Sequence, residues 1–573
     1  MTFVSRSKFA ARAQHRVALT LGAAAAAVAL AACGGGGGSS GDSGTASSVT
    51  LSGTAATGLA LAGAQVDIKC ASGSAATTTN ASGGYSASLA GASLPCMIRV
   101  TGTSGGVEIT LHSVAESGNA NGNDTSAVAN VTPLTELVVA QLTGNLPSAA
   151  FDGFGASSSV STADLRAAVS TVLAALRDAA GIDLGTVDPF KSTLVAATAD
   201  NRNGGNGYDQ ALDQLAGTVP AEALPFVVNQ VAAAAAAGSG STVTLNEVMT
   251  GAAAGSLANC PVAVSGKYRT IEYTGTSRVH TLDFHAMTMA TDGGAPQAVV
   301  ASATQACEFS VGGTTYVVGS KGAGAFRSAG MAGYFFPAQS HAFASVQGTW
   351  NFIESGLNED NQGEHWFGRY EIAADGGTTV CDYTVMNGVD NFGTCAIDTA
   401  ESMRLSAAGD GGFNLQYGAV PGRIFGYRSP DGTISLFGTN NASGTNGAGT
   451  LRTSLVGVRP AALQLPAVGA VTKYWDFTIL YNGSTQVLTA DPVAADATTV
   501  TAVDTSAGTM TRTRASDSRV DTFRVNYPVE GLRYRAQNGA ISSVYQMQMP
   551  VLGISVSIDN MPSHFAGISV LRP

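Results

Sequence analysis

Histidines and carboxylates gather at two places in this chain. The first is His280-Thr281-Leu282-Asp283-Phe284-His285. On a strand, side chains alternate between faces, so Asp283 and His285 would share one side and His280 would take the other. A three-ligand metal site there needs a bulge or a ligand from elsewhere. The second place is Asn358-Glu359-Asp360-Asn361-Gln362-Gly363-Glu364-His365-Trp366. Glu359, Asp360 and Glu364 supply the hard oxygen ligands that calcium takes, and an acid close to an aromatic ring suits a sugar. Asp283, His285, Glu359, Asp360, Glu364 and His365 are thus the candidate ligand or metal residues; no cofactor is expected, with calcium at the second stretch as the alternative. The plainer reading of both stretches is hydrogen-bonded surface residues and solvated hairpins.

Other chemistry-bearing patterns fail on spacing. Asp200-Asn201-Arg202-Asn203-Gly204-Gly205-Asn206-Gly207 resembles a calcium loop, but Arg202 stands where an EF-hand needs Asp or Asn and no Glu closes it, so it reads as a turn before a helix. Gly37-Gly38-Ser39-Ser40-Gly41 and Gly102-Thr103-Ser104-Gly105-Gly106 fit G-x-S-x-G, yet neither lies between a buried strand and a helix. With 71 glycines such matches arise by chance. The sequence holds no HExxH, Walker loop or dinucleotide fingerprint. A glycosidase carboxylate pair leaves no local pattern to search for.

The elements that must position these residues fall into three zones. From 49 to 104, apolar alternation broken by Gly and Asn predicts a small β-sandwich. From 105 to 250 the period changes to helical. Thr132-Pro133 reads as cap and first residue of a helix ending at Gly144, and Ser161 with Asp164 starts another that Gly181 closes. Further helices are expected around Asp209 to Leu215 and from Ala221 to Ala237. From 260 to 460 and from 465 to 573, short β runs dominate, with recurring openings at Gly266-Lys267-Tyr268, Gly348-Thr349-Trp350 and Lys473-Tyr474-Trp475. Val458-Arg459-Pro460 is echoed by Leu571-Arg572-Pro573. The fold class is therefore multidomain and mostly β, with C-terminal antiparallel modules that are barrel-like or sandwiches; a β-propeller is the alternative.

The first 32 residues give an address. Arg6, Lys8, Arg12 and Arg16 precede an uncharged run from Val17 to Ala32, too short to span a bilayer permanently and built like a cleaved export signal. Leu30-Ala31-Ala32-Cys33 resembles the lipobox of bacterial lipoproteins, which implies diacylglyceryl and acyl groups on Cys33 and a partner in the membrane itself. Gly34 in place of an Asp after that cysteine implies, within the family, the outer membrane or cell surface rather than the inner membrane. The Gly/Ser-rich stretch 33–48 has the composition of a tether. Of the 29 Lys+Arg in the 573 residues, removal of those four leaves 25 against 40 Asp+Glu, a formal charge of −15 that speaks against nucleic acid as a partner.

Six cysteines remain in what is then an oxidising compartment. Order and spacing favour Cys70 with Cys96, Cys260 with Cys307 and Cys381 with Cys395, among fifteen possible connectivities. Shared faces of Ala64-Val66-Ile68-Cys70 and Cys96-Ile98-Val100 suggest that the first bridge joins two inward faces of a sandwich.

Gly58-Leu59-Ala60-Leu61-Ala62-Gly63-Ala64-Gln65-Val66 followed by Thr79-Asn80-Ala81-Ser82-Gly83-Gly84-Tyr85 resembles the carboxypeptidase regulatory-like domain. The resemblance implies a prealbumin-type sandwich without catalytic residues. Together with Asn130-Val131-Thr132-Pro133-Leu134-Thr135, this arrangement also resembles uncharacterised bacterial lipoproteins. The expected function is a non-enzymatic binding or structural protein of the envelope, with a glycan or envelope protein as partner. The alternative is a lipid-anchored hydrolase acting on a polymer such as a polysaccharide.

Overall fold

A computed structural model describes residues 48–116, 124–238, 241, 243–358, 361–382, 396–397, 403–417, 420–443, 450–482, 487–490, 493–539, 541–559 and 565–573. Ser48–Thr54 pairs antiparallel with Gly84–Ala90 and parallel with Asp124–Val128. A second sheet runs in the order Ser74–Thr78, Gln65–Ser72, Ser93–Ser104, Val107–Ala115. Val49 and Leu51 from one sheet join Val66, Ile68, Ile98 and Val100 from the other in one apolar core. Asn80 turns the chain by accepting from the Ser82 and Gly84 amides, and the Tyr85 hydroxyl donates to the Ala129 carbonyl at 2.5 Å.

Two sequence expectations change here. The sandwich runs past 104 into the stretch read as helical, because Val107-Glu108-Ile109-Thr110-Leu111 alternates with the period of a strand and adds to the sheet edge. The bridge Cys70–Cys96 forms as expected, but between directly opposed residues of neighbouring strands, so it staples one sheet and does not join two.

The helices pack on the sandwich and share its core. Thr132 caps Pro133–Thr143 through a reciprocal exchange with Thr135, and Gly144 ends that helix at φ 59°. Ser161 caps Thr162–Ala180, and Gly181 closes it in the same left-handed conformation. Gly207–Thr218 and Leu224–Ala237 follow, with Asn206 of the calcium-like stretch capping the former. Two short helices, Pro147–Asp152 and Leu245–Ala253, were not expected. Among the described residues no helix is long and apolar enough to cross a membrane.

Beyond them stand three closed eight-stranded antiparallel barrels. The first runs from Gly266–Glu272 to Met331–Pro337, the second from Gly348–Leu357 to Thr450–Val458, and the third from Val471–Asn482 to Phe565–Leu571. Each opens with one of the recurring aromatic strands, so the propeller alternative falls away. Cys260–Cys307 ties the strand before the first barrel into its wall. Of the third expected bridge, Cys395 lies outside the described residues.

The barrels meet through their outer faces. Phe336 of the first stacks on Phe437 of the second at 4.3 Å, and Phe367 of the second on Tyr545 of the third at 4.5 Å. One apolar cluster draws on the outside of all three and on the interior of the first. Each large side chain buried there stabilises the fold by roughly 2–3 kcal/mol.

Candidate functional site

The interiors of the three barrels differ. Tyr268 stacks on Phe335 at 4.6 Å, and Phe309 on Tyr316 at 5.1 Å, filling the first. Trp350, Phe352, Tyr370 and Leu415 fill much of the second. The third keeps a cavity of about 640 Å³, lined by alternate residues of its strands and carrying five arginines: Arg512, Arg514, Arg519, Arg533 and Arg535.

One end of this lumen is capped by the segment that leads into it. Leu463 and Leu465 pack on the inward-facing Met510, Phe523 and Val525. Asn526, at φ 57°, fastens the segment by accepting from the Leu463 amide at 2.7 Å and donating to its carbonyl at 2.9 Å. At the other end the lining residues Leu480 and Ile541 are 40% and 38% exposed, so that end meets solvent.

The arginines divide into two groups. Arg514 pairs with Asp496 at 3.1 Å, Arg519 with Asp521 at 3.0 Å, and Arg535 with Asp521 at 3.4 Å. Arg512 and Arg533 have no carboxylate at ion-pair distance among the described residues. Both lie near the ring of Phe523, at 4.7 and 5.4 Å from its centre. Burial pushes each guanidinium pKa down, and for Arg533 the charge of Arg512 pushes the same way. Two like charges are therefore held close together in a poorly solvated site, and an anion would relieve both costs.

Strand register arranges the remaining polar groups in belts. Arg533 lies opposite Gln546, which lies opposite Ser557; Gln548 lies opposite Ser555, which lies opposite Ser569, itself opposite Asp476. Arg533 donates to Gln546 Oε1 at 2.7 Å, and Gln546 Nε2 donates to Ser557 at 3.0 Å. The Ser569 hydroxyl donates to Asp476 at 2.5 Å, while burial raises the pKa of that carboxyl. Three buried donors, Arg512 Nε, Arg533 Nε and Gln548 Nε2, find no acceptor among the described residues. A chamber with surplus donors fits a ligand rich in acceptors.

The sequence candidates lie elsewhere. His280 points into the first barrel between Thr270 and Thr291, at 2.8 and 2.9 Å, and burial pushes its pKa down to about 4. The strand Ser277–Asp283 ends before His285, which is exposed in the following turn, so Asp283 and His285 do not share a strand face. Asp283 instead accepts from the Ala286 amide at 2.7 Å and caps that turn. His365 is buried in the seam between the second and third barrels, 2.8 Å from Ser355 and 3.8 Å from Asp559, with Tyr481 edge-on. Glu364 lies on the strand Gly363–Ile372, and Glu359 and Asp360 fall outside the described residues. Asp283 and His285 are thus not brought together with His365. Among the described residues no group of three or more His, Cys, Asp or Glu is arranged to hold a metal ion. No sequence motif singles out the arginines; the only signal is that Arg512-x-Arg514 and Arg533-x-Arg535 each place two cations on one strand face.

No family model and no curated protein matches the sequence. Among solved structures, a protein of unknown function from the DUF3598 family of Nostoc punctiforme PCC 73102 is similar at 12% identity over 40% of this chain and 97% of that one, with a TM-score of 0.15, a likeness too slight to bear on function.

Proposed function

We propose that this protein is an exported, lipid-anchored envelope protein that binds a ligand without transforming it, and that the third barrel holds the ligand. The observation behind the binding role is the polar lumen with its three unanswered donors. The address rests on sequence: the basic start and uncharged run, the lipobox ending at Cys33 and the Gly/Ser stretch behind it. A regulatory-like sandwich near the anchor is in keeping with a body held off the membrane. The hydrolase reading gains no specific support, since Asp283, His285 and His365 occupy separate surroundings.

Two measurements test the proposal. Cys33→Ser should abolish acyl labelling and free the chain from the membrane fraction; labelling that persists would refute the anchor. A thermal-shift panel of small anions, neutral sugars and envelope glycans on the full chain should raise the midpoint for at least one compound, because a hundredfold excess over Kd adds about 2.7 kcal/mol to the native state. The shift should vanish in Ser557→Trp, which fills the lumen. A shift unchanged in that variant, or a flat panel, counts against this site.

A further inference from the structure

Resting on that reading, we infer that the third lumen takes a hydroxylated ring bearing a carboxylate, of the uronic-acid type, with its acid group between Arg512 and Arg533 and its hydroxyls on the serine and glutamine belts.

The charge requirement comes from the arginine pair. Arg514, Arg519 and Arg535 are already answered by aspartates, so they add little net attraction. Arg512 and Arg533 make no ion pair among the described residues, Asp521 and Asp476 acting on Arg512 only from farther off, and the Nε of each is a buried donor without an acceptor. A carboxylate accepts from several N–H groups at once, and such charge-assisted bonds are about twice as strong as neutral ones.

The hydroxyl requirement comes from the strands that continue the wall beyond Arg533. Ser555 and Ser557 accept from Gln546 and keep a hydroxyl to donate, Ser569 donates to Asp476 and keeps lone pairs to accept, Gln548 Nε2 offers a free donor, and Asp476 offers its other carboxyl oxygen. A hydrocarbon tail laid along this wall would strip water from those groups and return no hydrogen bond. Gly567, between Ser557 and Thr478 in register, keeps the belt open, since even an added Cβ there would approach no heavy atom closer than 3.8 Å. The cavity of about 640 Å³ lies within the range of small-molecule sites and has room for a sugar ring.

Free sugar acids and the acidic units of a polysaccharide present the same chemistry. Calorimetric titration of the full chain with D-glucuronate, D-glucose, acetate and a short oligogalacturonate separates them. Glucuronate should bind at least about tenfold more tightly than glucose or acetate, a difference of roughly 1.4 kcal/mol. Binding of the oligomer in preference to the monomer keeps the class and assigns the source to a polymer. Arg533→Met should weaken glucuronate by about tenfold or more, whereas Arg524→Gln, whose guanidinium stacks on Tyr527 at 3.6 Å, should leave it unchanged. If Arg533→Met does not fold, Arg512→Gln gives the same test. Glucose binding as tightly as glucuronate, or acetate matching it, would overturn the ligand class while leaving the lumen a binding site. No binding of any acid, with a shift in the broader thermal panel, would do the same; a flat result in both would take the binding reading with it.

Discussion

The opening tryptophans of the second and third barrels occupy matching places in sequence and opposite places in space. Trp350 points into the second barrel, beside Phe352 and Tyr370, and donates to the Val346 carbonyl at 2.7 Å. Trp475 points out of the third, into the apolar seam shared by the barrels. In both, the arginine of the closing Arg-Pro approaches that ring, Arg459 at 4.0 Å and Arg572 at 5.6 Å. Side chains alternate along a strand, so a shift of one residue in phase moves an entire apolar set from one face to the other. The second barrel thus turns the aromatics of its opening strand, Trp350 and Phe352, into its own interior. The third turns Trp475, Phe477, Ile479 and Tyr481 outward against its neighbours, and its polar face lines the cavity. The face left to the third lumen is the polar one, and that lumen keeps its cavity.

If that contrast is right, the two interiors should respond unequally to truncation. Trp350→Ala removes a fully buried side chain and should cost about 3–5 kcal/mol. Ser557→Ala, in the third lumen, loses one hydrogen bond and should cost about 1 kcal/mol. Equal losses of thermal midpoint in the two variants would erase the distinction.

A filled first lumen also gives acid sensitivity. His280 is neutral in the fold, with its pKa pushed by burial from the ordinary 6.5 to about 4. Below pH 6.5 the unfolded chain therefore takes up a proton that the native state refuses. The stabilisation this histidine provides is whole above that pH and is lost progressively as pH falls towards 4, by roughly 3 kcal/mol. Thermal midpoints measured from pH 7 to pH 4 should decline less steeply in His280→Gln; identical slopes would place the acid sensitivity elsewhere.

A smaller effect sharpens the picture of the capped end. Asn526→Ala forfeits the two hydrogen bonds to Leu463 and puts alanine at a positive φ, for a loss of about 1–2 kcal/mol. Asn526→Gly keeps the backbone at ease and loses only the bonds, so it should lie between Asn526→Ala and the native chain in urea denaturation. Glycine as poor as alanine would mean that backbone strain plays no part.

Much of this architecture was legible in the chain. Thr132 with Gly144, and Ser161 with Gly181, bracket their helices because caps act on local backbone groups. The signal for the helix Leu245–Ala253 was also present, in Thr244 and Glu247, but its short apolar stretch hid it. The recurring aromatic openings pointed to repeated β modules, and each begins a barrel. What they could not convey is which face turns inward, since alternation defines two faces and only tertiary packing chooses between them. For that reason His285 and His365 attracted notice as exposed chemistry, one proving to be a turn residue and the other a seam residue. Arg512 and Arg533 drew none, because a cation on a strand ordinarily faces water.

The most direct test of an open, positively charged third lumen beside a filled second one is native-state thiol labelling. Ser557→Cys and Leu415→Cys would be made separately in the full chain and exposed to methanethiosulfonate reagents carrying a sulfonate or a trimethylammonium group. The account predicts that the thiol of Ser557→Cys reacts in the folded protein, faster with the anionic reagent than with the cationic one, while that of Leu415→Cys reacts only on unfolding. Equal protection of the two thiols, or a preference for the cation at Ser557→Cys, would contradict it.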